Sequence, residues 1–267
     1  MSYSKLMTKP FRALAAALAA ITLLVAAGTP ASVWADSSAT NNESVAQSRL
    51  AQMGVATSMT GGSATAGPAL AFDNAIVSQI NVQAVAGGPQ TEALSTQTAT
   101  NNATINQTTA SESGDATGSN GGIASSGNAR AGSLAIVQQL NVQVIACPNA
   151  TEPINQTASN DATIDQTTLA ASGDAAADGS GSTASSGDAS ARSVAFVQQR
   201  NVQVYVCRPG SAGASDQTAG NVANVAQETL AASGDADASN GGNASSGRGR
   251  SNSSSQPRQG NTQVAID

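Results

Sequence analysis

The chain has 267 residues, a net charge of −6, no histidine and only 2% aromatic residues. The absence of histidine excludes Ser-His-Asp and Cys-His catalysis and histidine-containing zinc sites. The acidic balance argues against a nucleic-acid surface, and the sequence contains no P-loop, dinucleotide fingerprint or G-x-S-x-G motif. The sequence therefore predicts a protein that is not an enzyme, holds no cofactor and binds no nucleic acid.

The N-terminus has the pattern of a secretory signal peptide. Lys5, Lys9 and Arg12 precede an apolar run over residues 13–27. The segment that follows ends in Val33-Trp34-Ala35, with a branched residue at −3 and a small residue at −1 from the expected cleavage point. Because the run is shorter than the ~18–20 residues of a membrane span and precedes a processing site, we expect cleavage after Ala35. An uncleaved anchor helix is the alternative. We predict a secreted or cell-surface protein with no membrane span after residues 1–35 are removed.

The rest of the sequence is repetitive. Asn81, Asn141, Asn201 and Asn261 are each 60 residues apart, and the first three lie in Val/Gln-rich runs such as "LAIVQQLNVQVIAC". A second motif, "NNATINQ", "NDATIDQ" or "NVANVAQ", and paired turns such as "SGDA" occur in the later units. A fixed period of this kind is typical of stacked repeat proteins.

We therefore predict an all-β, repeat-built β-solenoid or stacked-sheet protein of about four 60-residue units. The predicted domains are a polar segment at 36–54, the β-repeat domain at 55–247, and a degenerate repeat or cap at 248–267. The one region with a hint of helical periodicity is 45–53. In the last unit Pro257 occupies the position equivalent to Val197 in the unit before it. Proline is confined to sheet edges.

The polar residues of the Val/Gln-rich runs are predicted to form ladders. Identical stacked units place identical residues above one another, and stacked Gln and Asn amides form hydrogen bonds along such stacks. The alternative is that these amides lie on a solvated face. The predicted ladder residues are Gln79, Asn81, Gln139, Asn141, Gln199 and Asn201.

Three segments fit the pattern N-x-A-x-[VI]-x-Q, beginning at Asn101, Asn160 and Asn221, and the long runs fit its last part. This pattern resembles the second half of the curlin repeat, which occurs in secreted subunits of bacterial curli fibres. The resemblance implies strand–turn–strand units that stack into a β-solenoid and assemble in a biofilm matrix. The units here are longer than curlin repeats and lack their Q-x-G-x-x-N half.

Calcium is a further use for the turn aspartates. Asp115, Asp174, Asp188 and Asp235 each follow a glycine, so stacked turns could align carboxylates with carbonyl oxygens. The alternative is ordinary turn chemistry, since Asp favours Gly-rich turns.

Cys147 and Cys207 occupy equivalent positions in consecutive units. If one unit forms one layer, the two lie ~4.8 Å apart, within the range for a disulfide, whereas two coils per unit would separate them by ~9.6 Å. We predict a disulfide and single-layer units; two buried free thiols are the alternative.

These features favour a secreted structural or adhesive protein of the cell surface or extracellular matrix. Its partners would be further copies of itself or other surface and matrix proteins. Two alternatives remain: a monomeric ligand-binding solenoid, directed at carbohydrate or ice, and a largely disordered secreted protein.

Overall fold

A computed structural model describes residues 37–86, 95–147, 154–207 and 215–266, and these residues form sixteen β-strands. The predicted signal peptide lies outside the described residues. Each unit consists of a long strand, two short strands and a second long strand.

We call the first long strand of each unit the outbound strand and the second the return strand. The outbound strands are β1 (Ser37–Gln52), β5 (Ser95–Glu112), β9 (Ile154–Ala171) and β13 (Ser215–Ala232). The return strands are β4 (Ala69–Ala86), β8 (Ala129–Cys147), β12 (Ala189–Cys207) and β16 (Gly249–Ile266). The first short strands are β2 (Ala56–Ser58), β6 (Ala116–Gly118), β10 (Ala175–Ala177) and β14 (Ala236–Ala238). The second short strands are β3 (Ser63–Thr65), β7 (Ile123–Ser125), β11 (Thr183–Ser185) and β15 (Asn243–Ser245).

Equivalent strands of successive units pair in parallel, which gives four four-stranded sheets. The outbound sheet has the order β1-β5-β9-β13 and the return sheet the order β16-β12-β8-β4. Asn81, Asn141, Asn201 and Asn261 pair in that succession in the return sheet. Each unit is therefore one layer of the stack, which confirms the predicted repeat-built β architecture.

A narrow core lies between the two long sheets. Alternate residues of each strand point inward, since side chains of a strand alternate between its faces. Val77, Val137 and Val197 of the return sheet pack in one cluster with Ile105 and Ile164 of the outbound sheet. Inward alanines complete this cluster, and small side chains suit a thin two-sheet core.

The turn end of the stack has its own core. Ala116 and Ala175 of the first short strands pack against Ala124 and Ala184 of the second short strands. Because only alanines fill this cluster, the short strands approach each other closely and the chain reverses within a few residues.

The stack begins earlier than the sequence predicted. Residues 37–52, assigned to a polar segment with a helical stretch at 45–53, form β1 and pair with β5 throughout. Val45 pairs with Ile105 and Gln47 with Gln107. The inward residues of this segment thus match those of the next outbound strand, and they determine that the segment forms a strand. No helix among the described residues has the length and apolar character needed to cross a membrane.

Candidate functional site: polar ladders, turns and stack ends

Two columns of asparagines run through the middle of the core. Asn101 Nδ2 donates to Oδ1 of Asn141 in the opposite sheet at 2.8 Å and to Oδ1 of Asn160 in the next layer at 2.9 Å. Asn141 Nδ2 in turn donates to Oδ1 of Asn160 at 3.1 Å and of Asn201 at 2.9 Å. The two columns are thus one interlocked double ladder, and Asn101, Asn141 and Asn201 are 0% exposed.

This double ladder follows the order of the chain. Asn41 donates to Asn81 at 2.7 Å, and Asn221 donates to Asn261 at 2.7 Å. The asparagines alternate between the sheets from Asn41 to Asn261, so each return strand lies about half a layer beyond its own outbound strand. Consequently β1 is one end of the stack and β16 is the other.

Glutamines form four further columns. In the return sheet Gln139 Nε2 donates to Gln79 Oε1, and Gln199 Nε2 donates to Gln139 Oε1, both at 2.8 Å. The other three columns repeat this contact between the same residue types. They consist of Gln83, Gln143, Gln203 and Gln263 in the return sheet, and of Gln47, Gln107, Gln166 and Gln227, and Gln97, Gln156 and Gln217, in the outbound sheet.

Return-sheet glutamines also join the two sheets. Gln139 Nε2 donates to the carbonyl of Asp161 at 2.8 Å, and Gln203 Nε2 donates to the carbonyl of Thr218 at 2.9 Å. A buried amide left without partners costs ~1–3 kcal/mol, whereas each bond made contributes ~0.5–1.5 kcal/mol. The six predicted ladder residues are at most 5% exposed, so they lie inside the core, and the alternative of a solvated amide face is wrong.

The two kinds of ladder have opposite polarity. Asparagine Nδ2 donates toward the C-terminal end of the stack, as from Asn81 to Asn141 at 3.1 Å. Glutamine Nε2 donates toward the N-terminal end, as from Gln143 to Gln83 at 2.9 Å. The side-chain dipoles of neighbouring columns therefore oppose each other. Sequence reasoning found the columns but had no signal for their direction.

The Ser-Gly-Asp turns form ladders of a different kind. The N–H of Gly173 donates to Ser113 Oγ at 2.9 Å, and the N–H of Asp174 donates to Asp115 Oδ1 at 2.9 Å. A Cβ on Gly173 would overlap the carbonyl of Gly114 in the preceding layer. Where the motif occurs, it thus supplies one hydroxyl acceptor, one carboxylate acceptor and one residue without a side chain; the turns of the first layer, Met53-Gly54-Val55 and Ala66-Gly67-Pro68, keep only the glycine.

These contacts bear on the predicted calcium use of the turns. Oδ1 of Asp174 accepts the N–H of Asp235 at 2.8 Å, and Oδ1 of Asp188 accepts the N–H of Arg248 at 2.8 Å. No group of three acidic or cysteine side chains that could hold a metal occurs within the described ranges. The turn carboxylates act here as acceptors between layers.

A further turn carboxylate has a shifted pKa. Ser239 Oγ donates to Asp178 Oδ1, and Asn240 Nδ2 donates to the same oxygen at 3.1 Å. The hydrogen bond from Ser239, followed by the backbone N–H of Gly179, lowers the pKa of Asp178 below its ordinary value. This turn therefore favours the ionised carboxylate.

Both ends of the stack carry residues that oppose further stacking. In β1, Glu43 and Arg49 occupy the inward positions that Ala103 and Thr109 occupy in β5. Both charged side chains are exposed at this end. A further layer would bury them without partners, at a cost of several kcal/mol each.

At the other end of the stack Pro257 lies in β16, where it pairs with Val197. The N–H of Ala129 donates forward to the carbonyl of Asp188, which directly precedes β12, and the N–H of Ala189 donates forward to the carbonyl of Arg248, which directly precedes β16. Strand residues direct their backbone groups alternately to the two sides. Gly249 is the partner of Ala189 and Pro257 follows it by an even number of residues, so the backbone nitrogen of Pro257 faces the free edge. It therefore removes one donor from that edge, as natural edge strands do.

Among the described residues, three buried oxygens near the first layers lack hydrogen-bond partners: Asp73 Oδ2, Thr109 Oγ1 and Ser111 Oγ. Asp73 is 3% exposed and pairs with Ser133 of the next layer. The hydroxyl of Ser133 lies 2.8 Å from Thr168 Oγ1 in the outbound sheet. The aspartate interrupts a serine column, and sequence reasoning did not single it out.

Cys147 and Cys207 pair in register as the last residues of β8 and β12. The backbone thus has the single-layer arrangement that a disulfide needs. The two side chains lie outside the described part of the chain, so the disulfide stays a prediction.

Comparisons of the chain with protein-family models, with curated proteins and with solved structures gave no match.

Proposed function

We propose that the chain is a secreted structural protein of the cell surface or extracellular matrix. The observation that carries this proposal is the double asparagine ladder, which runs without interruption from Asn41 to Asn261. A buried hydrogen-bond network satisfied in every layer holds strands in one register and resists local opening. Such a core suits a protein whose role is to keep its shape outside the cell.

The composition of the core supports this proposal. Amide hydrogen bonds and alanine contacts recur in it from layer to layer. The motifs that resemble the curlin repeat supply ladder residues such as Asn101 and Gln107, together with the core residue Ile105. This resemblance favours matrix or surface deposition over a freely diffusing role.

Immunogold electron microscopy tests the proposal, with antibody raised against the purified exported protein and applied to intact exporting cells. We expect label on the cell surface or in the surrounding matrix. Label confined to the cell interior, or protein recovered only from the cleared medium, would contradict it. Cells lacking the gene provide the control for antibody specificity.

A second candidate is ligand binding by the outer face of the outbound sheet. Hydroxyls form columns on this face, because Thr98 pairs with Thr157 and Thr157 with Thr218, and Thr104 pairs with Thr163. A flat, regular array of hydroxyls suits carbohydrate or ice. Glycan-array binding and ice-recrystallisation assays test this candidate, and binding abolished by Thr104→Tyr would support it.

A further inference from the structure

The outer faces of the two long sheets carry opposite charges. The outer positions of the outbound sheet hold five carboxylates and no arginine within the described residues. They are Glu112, Asp161, Asp165, Asp216 and Glu228. The outer positions of the return sheet hold five arginines and no carboxylate in the same ranges. They are Arg130, Arg192, Arg200, Arg250 and Arg258.

The return face is also apolar. Leu70, Phe72, Ile76, Ile80 and Val82 of β4 lie on it with 59%, 53%, 53%, 41% and 47% of their surfaces exposed. Large exposed apolar strips of this kind mark interaction surfaces on soluble proteins.

A different part of the return face is already buried. Leu140, Val142, Val144 and Val202 are 1% to 9% exposed and form a cluster of their own. The exposed strip therefore runs along β4, where the Phe72 ring also covers Gly132 of the next layer.

We propose that the return face of one copy docks on the outbound face of the next copy. This inference rests on the proposed structural function and names its partner. Two return faces would oppose arginine with arginine, so they do not suit each other. The outbound face supplies the missing carboxylates, and its threonine methyls offer an apolar surface to the β4 strip.

The charges also match in position. Asn160 Nδ2 donates to the carbonyl of Arg200 at 3.3 Å, so Asp161 and Arg200 lie at the same level along the strands, on opposite outer faces. Gln227 Nε2 donates to Ser193 Oγ at 3.0 Å, which places Glu228 near the level of Arg192. If one copy is translated perpendicular to the sheets, its Asp161 therefore lies opposite Arg200 of the neighbouring copy, and its Glu228 lies close to Arg192 of that copy.

The faces are large enough for stable association. With a rise of ~3.3 Å per residue and ~4.8 Å between strands, each face measures about 60 by 20 Å, or roughly 1,200 Å². The buried cluster of Leu140, Val142, Val144 and Val202 takes about 16 by 10 Å of the return face, so roughly 1,000 Å² of it stays open. A standard protein interface buries about 800 Å² per partner. Because the two docking faces differ, this contact is heterologous and continues in an open row, while Glu43, Arg49 and Pro257 keep the ends of each stack closed.

A charge-exchange experiment tests the proposal, by sedimentation velocity of the exported protein over a concentration series. One variant carries Arg192→Glu and Arg200→Glu, and the other carries Asp161→Arg and Glu228→Arg. We expect each alone to need at least about 10-fold more protein to associate than the wild type, because like charges then meet. An equimolar mixture should regain association, since acidic return faces now meet basic outbound faces.

The control carries Arg248→Glu, Asn128→Asp and Asn243→Asp, which together change the net charge as much as the arginine variant does but lie at the turn end, off both faces. It should associate like the wild type, and circular dichroism should show the same β spectrum for every variant. A wild type that stays monomeric throughout, or a mixture no better than its components, overturns the proposal.

Cosedimentation with phosphatidylglycerol vesicles separates the lipid alternative. Vesicle binding lost in the arginine variant, without self-association of the wild type, would assign the return face to membranes and overturn the proposal. These outcomes are independent of the immunogold result, because a matrix protein that sediments as a monomer would refute lateral docking alone.

Discussion

Asn101 and Asn141 meet across the core, with Nδ2 of the first 2.8 Å from Oδ1 of the second, and neither is exposed. Each also donates to the next asparagine of its own sheet. One side-chain type therefore performs both tasks of the fold, joining sheet to sheet and layer to layer.

Replacing Asn141 by Ala should destabilise the protein strongly. The change removes both donors and leaves Asn81 and Asn101 with a lost acceptor inside the core. We expect the free energy of unfolding to fall by about 2–4 kcal/mol in urea titrations. Asn102→Ala, on the outer face, is the matched control and should cost less than about 1 kcal/mol. Equal effects would show that the ladder adds no stability.

The glycine of the turn motif should tolerate no side chain. Gly173→Ala would place a methyl on the carbonyl of Gly114, whereas a Cβ on Gly220 meets nothing within 4 Å. We expect Gly173→Ala to lower the melting temperature by several degrees, and Gly220→Ala to leave it unchanged or raise it slightly. A neutral Gly173→Ala would mean that adjacent turns are farther apart than in the structure.

A charge in the apolar part of the core should be more damaging than one at the stack end. Val197 is 1% exposed, so Val197→Asp both removes an apolar side chain and buries a carboxylate, for a loss of at least about 3 kcal/mol. Pro257→Asp, at the paired position of the exposed end strand, is the control and should cost little. Thermal melts by circular dichroism compare the two, and similar melting temperatures would contradict the core assignment.

Much of this arrangement could be predicted from the sequence, because a strict 60-residue period specifies register without knowledge of the turns. The columns of Gln139 and Asn141 followed directly. The first outbound strand was not predicted as part of the stack. Glu43 occupies the position of Ala103 in the repeated motif, so the sequence of this strand does not fit the motif of the later units. The opposite charges of the two outer faces also required the structure, because only pairing decides which alternate residues point outward.

Deletion of residues 248–267 should open the C-terminal end of the stack. It removes β16 and exposes the paired edge of β12, where no proline interrupts the donors. We expect the truncated protein to elute earlier than the intact chain in gel filtration, since an unpaired edge strand promotes pairing between molecules. Both forms should carry Arg192→Glu and Arg200→Glu, which we expect to suppress the proposed lateral docking. Identical elution would show that the last strand is not a cap.

The cysteine pair gives the last prediction. Cys147 and Cys207 pair in register in adjacent parallel strands, and such strands lie ~4.8 Å apart, within the ~4.4–6.8 Å between bridged Cα atoms. The export that we propose favours oxidation, so we expect a disulfide that stabilises the junction of the second and third layers by about 2–4 kcal/mol. Mass spectrometry of the unreduced exported protein should show a mass lower by about two hydrogens, and reduction should lower the melting temperature. The Cys147→Ser/Cys207→Ser variant is the control, because its melting temperature should not respond to reductant. Two thiols that alkylate in the native, air-exposed protein would show that the pair remains reduced despite its register.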